Sequence, residues 1–421
     1  MDPESYQDDD ILTSLAVVLP LALAGFVVAA GCWTLFAVAG VHVRETLNLS
    51  NVQFGLLLAM PMAAGALLAV PAGLLAQRLG ARRVMVACLA GLAVCMVLIV
   101  LARSFTGYLL ASAGLGLAAG FYSAGLQFVT RHSPYEHIGL VLGIFGAGVT
   151  GAGFNYYLVP LIHQAFAWQG VALAYLTVLL LVLALLLLLT DNADSDSDPA
   201  EATVSQLLMR LRTLRMWQLC LYFGVVAGSF FTLALWLPDY LSSRFTLTVE
   251  SGAKLALWFV IPGALAQIAG GGLSDRFGTA RVVVRALAVC LMVLFVLSYP
   301  PMTLFIQGVE QTLELKLAMP LYLERIFVLV LGIALGCAMG GLQRMMIAEN
   351  RDGAAFAAGM LLVSACSVAF LLPLLFGGVN QWLGVRSAVF MILFLLFAGC
   401  LFLFARGQRR SERQALLHTG I

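Results

Sequence analysis

The sequence predicts an all-α integral membrane protein whose twelve transmembrane helices form two parallel six-helix repeats. Three observations carry this prediction. Of 421 residues, 62% are hydrophobic and only 10% charged, and the mean hydropathy is +0.99, far outside the range of water-soluble domains. The chain also holds twelve apolar runs of about twenty residues or more, each able to cross a hydrocarbon core of about 30 Å. Finally, the two halves repeat each other in matched segments.

The runs of the first half lie at about 13–40, 52–77, 84–102, 105–130, 138–164 and 169–190. A polar stretch, Asp191-Asn-Ala-Asp-Ser-Asp-Ser-Asp-Pro199, interrupts the pattern, followed by a short segment with Arg210, Arg212 and Arg215 that reads as an interfacial helix. The second half continues with runs at about 216–241, 251–275, 281–299, 322–347, 353–379 and 386–406, with a longer loop from Pro300 to Leu321. The expected organisation is an N-terminal bundle over 1–190, a cytoplasmic linker over 191–215, and a C-terminal bundle with a cytoplasmic tail over 216–421.

Orientation follows from the basic residues, which concentrate on the cytoplasmic side of membrane proteins. With both termini inside, sixteen of the 23 Lys and Arg fall on that side and seven on the other. The N-terminus, Met1-Asp-Pro-Glu-Ser-Tyr-Gln-Asp-Asp-Asp10, is acidic where a secretory signal is basic, so no cleaved leader is expected.

The repeat is direct. Gly65-Ala-Leu-Leu-Ala69-Val-Pro-Ala-Gly73-Leu-Leu-Ala-Gln77-Arg78-Leu-Gly80-Ala-Arg82-Arg83 matches Gly263-Ala-Leu-Ala-Gln267-Ile-Ala-Gly-Gly271-Gly-Leu-Ser-Asp275-Arg276-Phe-Gly278-Thr-Ala-Arg281. Gly116 to Gln127 likewise matches Gly332 to Gln343, and Pro160 matches Pro373. Such repeats belong to transporter architectures.

The fifth run is threaded with small residues. On a helix, Gly139, Gly143, Gly146, Thr150 and Gly153 make one smooth row, while Gly148, Gly151 and Asn155 make a neighbouring one. In lipid such faces are where helix backbones meet, because van der Waals packing replaces the hydrophobic drive between helices. One reading is packing alone; the other makes this helix a sliding surface beside a central pathway.

Other function classes are excluded by what the sequence lacks. The eight cysteines sit in apolar runs without the clustering of a zinc site or disulfide framework, and no metal site is expected. The net charge of +2 is scattered over short loops and gives no nucleic-acid signal. There is no nucleophile with its base, no P-loop and no cofactor motif, so neither an enzyme nor a resident cofactor is expected.

The loop after the second run, Gly73-Leu-Leu-Ala-Gln77-Arg78-Leu-Gly80-Ala-Arg82-Arg83, and its copy around Asp275, Arg276 and Arg281 resemble the signature motif of the major facilitator superfamily. The motif places a carboxylate and arginines at cytoplasmic helix ends, where they pair with one another and with a neighbouring helix's C-terminal dipole. Arg78, Arg82, Arg83, Asp275, Arg276 and Arg281 are the candidate cytoplasmic gate; Gln77 replaces the usual acid, so a charged latch is expected at Asp275.

Within the superfamily, the glycine-rich fifth helix ending at Pro160 and the run Phe223 to Phe231 followed by Leu237-Pro238-Asp-Tyr-Leu241 resemble the nitrate/nitrite porters. That resemblance implies anion-binding arginines in the second and eighth helices, where this chain has Ala69 and Gln267. The family's second glycine-rich helix is replaced by Gly359-Met-Leu-Leu-Val-Ser364-Ala-Cys366-Ser367. An anion in a low-dielectric pocket needs a compensating cation, so nitrate is not the expected substrate.

The candidate pathway residues are Gln267, which occupies the implied binding position, Asn155 and Tyr157 on the glycine rows or their extension, the repeated pair Gln127 and Gln343, Tyr122, and the aromatic walls Trp33 and Trp236. For each, an interhelical hydrogen bond is the competing role. No Asp, Glu or Lys falls mid-span; Asp239 and Glu324 lie near outer ends, and His42 with Glu45 is the candidate titrating pair. The expected protein is a monomeric secondary transporter of a small solute in the bacterial inner membrane, with the substrate and the lipid bilayer as its partners. An exporter of hydrophobic compounds or siderophores, an iron- or metal-related transporter, and a non-transporting receptor are the alternatives.

Overall fold

The computed structural model describes residues 3–190, 203–300, 302–307, 312–317, 319–383 and 387–419. Among them, eleven stretches are long and apolar enough to cross a membrane, and one of these, Tyr135–Leu189, runs for 55 residues. It is broken at Phe166 and Ala167, where the backbone leaves the helical region (Ala167 φ 58°, ψ −175°). That run is therefore two crossings, and the path makes twelve.

The helices are α1 (Pro3–Trp33), α2 (Phe36–Leu47), α3 (Asn51–Leu79), α4 (Ala81–Leu101), α5 (Phe105–Gly114), α6 (Leu117–Arg131), α7 (Ile138–Gly146) and α8 (Thr150–Leu189). They continue as α9 (Val204–Arg210), α10 (Leu214–Arg244), α11 (Val249–Phe277), α12 (Thr279–Leu297), α13 (Leu321–Glu349), α14 (Ala354–Leu383) and α15 (Ala388–Thr419). Helices α1 with α2, and α5 with α6, each make one crossing. The first and last helices continue beyond their apolar runs, into the acidic start and the basic tail.

One expectation is corrected. The segment from Pro300 to Leu321 carries an antiparallel hairpin, β1 (Met302–Gln307) with β2 (Thr312–Leu317), rather than an unstructured loop. Alternation in Thr312-Leu-Glu-Leu-Lys-Leu317 is a strand period.

The repeat is visible in the backbone. Gly80, between α3 and α4, has φ 90° and ψ 141°; its counterpart Gly278, between α11 and α12, has φ 85° and ψ 132°. Both turns demand a positive φ, which glycine adopts without a Cβ clash.

Helix interruptions follow a single rule. A carbonyl inside a bilayer needs a hydrogen-bond donor, so a broken turn must be satisfied by a neighbour. Pro61 has no N–H for the carbonyl of Leu57, and the Ser112 hydroxyl donates to it at 2.9 Å. Pro238 likewise leaves the Ala234 carbonyl, which accepts from the Tyr156 hydroxyl. Where α1 gives way to α2, the Leu35 N–H turns to Cys32, and Asn155 Nδ2 donates to the released Gly31 carbonyl at 2.7 Å.

Candidate functional site

Two seams join the first six crossings to the last six: α7 against α11, and α3 against α14. The α7–α11 seam is built by the first glycine row. A Cβ on Gly139 would lie 2.5 Å from the Gly271 carbonyl oxygen, and one on Gly143 would lie 2.9 Å from Ile268 Cα. Further along, a Cβ on Gly153 would meet Ile261 Cγ1 at 2.8 Å. The second row faces elsewhere: Gly148 packs on Phe26 and Gly151 on the Val27 carbonyl, both of α1.

Gln267 sits in this seam, buried. A short 3₁₀ segment, Ala147–Val149, interrupts the helix between α7 and α8, and the Thr150 N–H bonds to Ala147 instead of reaching Gly146. The Gly146 carbonyl is taken by Gln267 Nε2 at 3.1 Å, across the seam. Gln343 of α13 approaches the same place: its Nε2 donates to the Leu142 carbonyl at 3.4 Å. Its Oε1 is buried without a hydrogen-bond partner. A Cβ on Gly146 would stand 2.5 Å from Gln267 Oε1 and 3.1 Å from Gln343 Oε1, so both side-chain oxygens converge on that glycine.

The other candidates are distributed differently. Asn155 is buried and fully engaged, donating to Gly31 and to Thr34 Oγ1 (2.9 Å) and accepting from the Tyr175 hydroxyl. These bonds tie α1 and α8 together. Tyr157 is 57% exposed, so it is not part of the buried amide group. Trp33 is buried, donates from Nε1 to the Pro61 carbonyl at 3.0 Å, and lies 5.4 Å from Phe231 across the halves. Tyr122 is packed between Phe26 and Phe145. Gln127 is buried on α6; its counterpart Gln343 meets the opposite half at the Leu142 carbonyl. Trp236 stacks on Tyr240 at 4.6 Å beside Phe376 and Phe390, in a cluster built by the last six crossings.

Asp275 ties the α7–α11 seam at the basic end of the molecule. Its carboxylate accepts from the backbone N–H groups of Gly139 (3.1 Å) and Leu140 (2.8 Å), the first turn of α7, and is ion-paired with Arg344. Arg344 is held in turn by Thr279 Oγ1 at 2.9 Å. The carboxylate therefore meets the N-terminal, positive end of a helix across the seam, where its charge is favourable; the expected C-terminal pairing is made by an arginine, Arg82, on the Leu187 carbonyl in the last turn of α8. Arg276, Arg281, Arg78 and Arg83 are exposed and are not among the partners of Asp275. Arg82 is buried and serves within its own half, bonding Thr190 Oγ1 at 2.8 Å and the Leu187 carbonyl at 3.0 Å.

The α3–α14 seam carries no such carboxylate on α3. Gln77 Nε2 donates to the Asp352 carbonyl at 2.7 Å, and the Asp352 side chain is ion-paired with Arg210 of α9. Arg351 reaches back to the carbonyl of Ser133. Ala69 is buried against Gly359, where a Cβ would come 2.7 Å from the Ala69 carbonyl.

Sequence reasoning missed Arg344, Arg210 with Asp352, and the buried pair Arg244–Glu324 (Nε to Oε2, 3.2 Å). For Arg344 a signal existed: Gly341-Leu-Gln343 repeats Gly125-Leu-Gln127, but the next residue is Phe128 in one copy and Arg344 in the other. His42 faces His163 and Trp168, at ring separations of 5.2 and 5.6 Å.

The profile of the Major Facilitator Superfamily matches residues 21–348. The chain is 28% identical over 396 residues to the "Probable nitrate/nitrite antiporter NarK1" of Thermus thermophilus, covering 90% of this chain and 89% of that protein. It is also 28% identical over 290 residues to the "Nitrite extrusion protein" of Bacillus subtilis (strain 168), covering 69% and 71%. Among solved structures, the transporter FucP in its outward conformation superposes with a TM-score of 0.70 at 17% identity, covering 93% of this chain and 99% of that one. The human organic anion transporter MFSD10 superposes with 0.69 at 16% identity, covering 93% and 99%.

Proposed function

The chain belongs to the major facilitator superfamily of multi-pass secondary transporters, and from that premise we propose that it moves a small polar solute past Gln267 and Gln343 as its two six-span halves rock against each other. The smooth α7–α11 seam supports the motion, since helix backbones in contact slide without side chains to repack. The amide pair supports the site. Both glutamines reach across to α7 carbonyls while the seam is closed, so their N–H groups come free when it parts.

The observation that carries the solute class is the buried, unpartnered Oε1 of Gln343 beside Oε1 of Gln267. A buried carbonyl oxygen without a partner costs about 1–3 kcal/mol, which a solute with its own N–H or O–H group relieves. Nitrate carries only acceptors, and the positions that the porter resemblance assigns to cations hold Ala69 and Gln267. The favoured solute therefore both donates and accepts hydrogen bonds and brings no net negative charge. The names of the curated relatives favour a second reading, nitrate or nitrite.

Thermal melting of the purified protein separates the two, because a ligand that binds only the folded state raises apparent stability. Neutral polar compounds and amino acids are expected to raise the melting temperature, and Gln343→Leu to abolish the effect of the best of them. Protection by nitrate that survives in Gln343→Leu would overturn the proposed solute class. The basic end is assigned to the cytoplasm by the arginine distribution; protease cleavage of the C-terminal tail in inside-out but not right-side-out vesicles tests that assignment.

A further inference from the structure

Helix α9 presents two different faces. On one, Leu207 is fully buried beneath Gly353, while Arg210 pairs with Asp352 and donates to Asn350 Oδ1 at 3.1 Å. On the other, where α9 passes the end of α3, lies an open cavity of about 550 Å³ lined by Arg78, Arg212, Thr203, Ser205, Leu208 and Met209, with Val204. Among the described residues neither Arg78 nor Arg212 has an acidic partner. Beside the two guanidinium groups the surface turns apolar: Leu208 is 46% exposed and Met209 61%.

Two cations without counter-ions among the described residues, next to exposed leucine and methionine, at the level where α3 leaves the apolar zone, match the chemistry of one kind of molecule. We propose that this cavity holds the headgroup of an anionic phospholipid from the leaflet at the basic end, with Arg78 and Arg212 on the phosphate and Leu208 and Met209 along the acyl chains. Guanidinium groups bind phosphate through paired, charge-assisted hydrogen bonds, and basic residues at a membrane surface each add to the attraction of anionic lipid. Free phosphate would use the arginines but gain nothing from the apolar rim, which is why the lipid is favoured. Because the opposite face of α9 carries the Arg210–Asp352 pair, the bound lipid would steady the clamp on the turn between α13 and α14.

The test uses the full chain in neutral detergent, titrated with phosphatidylglycerol, with phosphatidylcholine, or with inorganic phosphate in the buffer. Bound lipid is counted by native mass spectrometry and stability followed by thermal melting. Phosphatidylglycerol is expected to bind and to raise the melting temperature, phosphatidylcholine to do so weakly, and phosphate not at all. The double variant Arg78→Gln/Arg212→Gln is expected to bind phosphatidylglycerol about thirtyfold more weakly. Undiminished binding by the double variant would overturn the assignment. So would stabilisation by inorganic phosphate equal to that by the lipid. Should the double variant fail to fold, the single variant Arg212→Gln, at an exposed residue, is expected to lose about fivefold in affinity, and no loss there would overturn it equally.

Discussion

The two seams descend from the same repeat and have solved the same packing problem with different chemistry. At α7–α11, glycine meets glycine: a Cβ on Gly139 would strike the Gly271 carbonyl, and one on Gly271 the Gly139 carbonyl. Its basic end is tied by a carboxylate, Asp275, on helix N–H groups and Arg344. At α3–α14 the close approach is made by Gly73 on Ala355 and Gly359 on Ala69. The tie there is neutral, Gln77 to the Asp352 carbonyl, and the charge is supplied from outside the repeat by Arg210 of the linker helix. The difference teaches that the basic end of each seam needs a donor–acceptor match, and that the position of the charge is free to move.

The largest effect is expected from crowding the glycine seam. Gly271→Ala would drive a methyl group into the Gly139 backbone, and because backbone cannot yield as a side chain can, overpacking of about 1–3 kcal/mol is expected. Uptake into proteoliposomes should fall about tenfold or more. Gly359→Ala, whose added Cβ stands farther from its nearest neighbour, should lose less; equal losses would erase the distinction between the seams.

Asp275→Asn comes next. It keeps the shape but removes charge from two backbone hydrogen bonds and an ion pair with a buried carboxylate; hydrogen bonds to charged groups contribute about 1.5–3 kcal/mol each. Hydrogen exchange over residues 138–142 should quicken by about tenfold or more, and unchanged exchange would remove the latch from the account.

The smallest effect sharpens the comparison best. Gln77→Glu restores the acid that the signature motif usually has, yet it should weaken the α3–α14 seam. The amide N–H that serves the Asp352 carbonyl would be lost, and a second carboxylate would be placed near Asp352. A destabilisation of about 1 kcal/mol is expected in thermal melting. A gain in stability would show that the two seams use one chemistry after all.

Much of this was legible in the residues. Hydropathy and the repeat fixed the crossings, and the matching φ angles of Gly80 and Gly278 follow from the aligned motif copies. The two glycine rows separated as spacing predicts, one to α11 and one to α1. The site was legible only in part. Polar residues inside a membrane can serve either a solute or a stranded carbonyl, and composition does not tell them apart: Asn155 and Trp33 proved to serve carbonyls. Arg344 was hidden because the repeat offers Phe128 in its place, so the pairing with Asp275 has no counterpart to point to it. The hairpin near residue 310 escaped because its length suits a loop as well as two short strands.

The carbonyl of Gly31 has a consequence for how the protein is made. Its partner, Asn155, lies 124 residues further along the chain, so a ribosome has threaded four crossings into the bilayer before the donor emerges. Until then the break between α1 and α2 holds a hydrogen-bond acceptor in hydrocarbon, an expensive arrangement. The first helix of the nascent chain must therefore linger near water or the insertion machinery, and the arrival of the fifth crossing is the event that lets it settle.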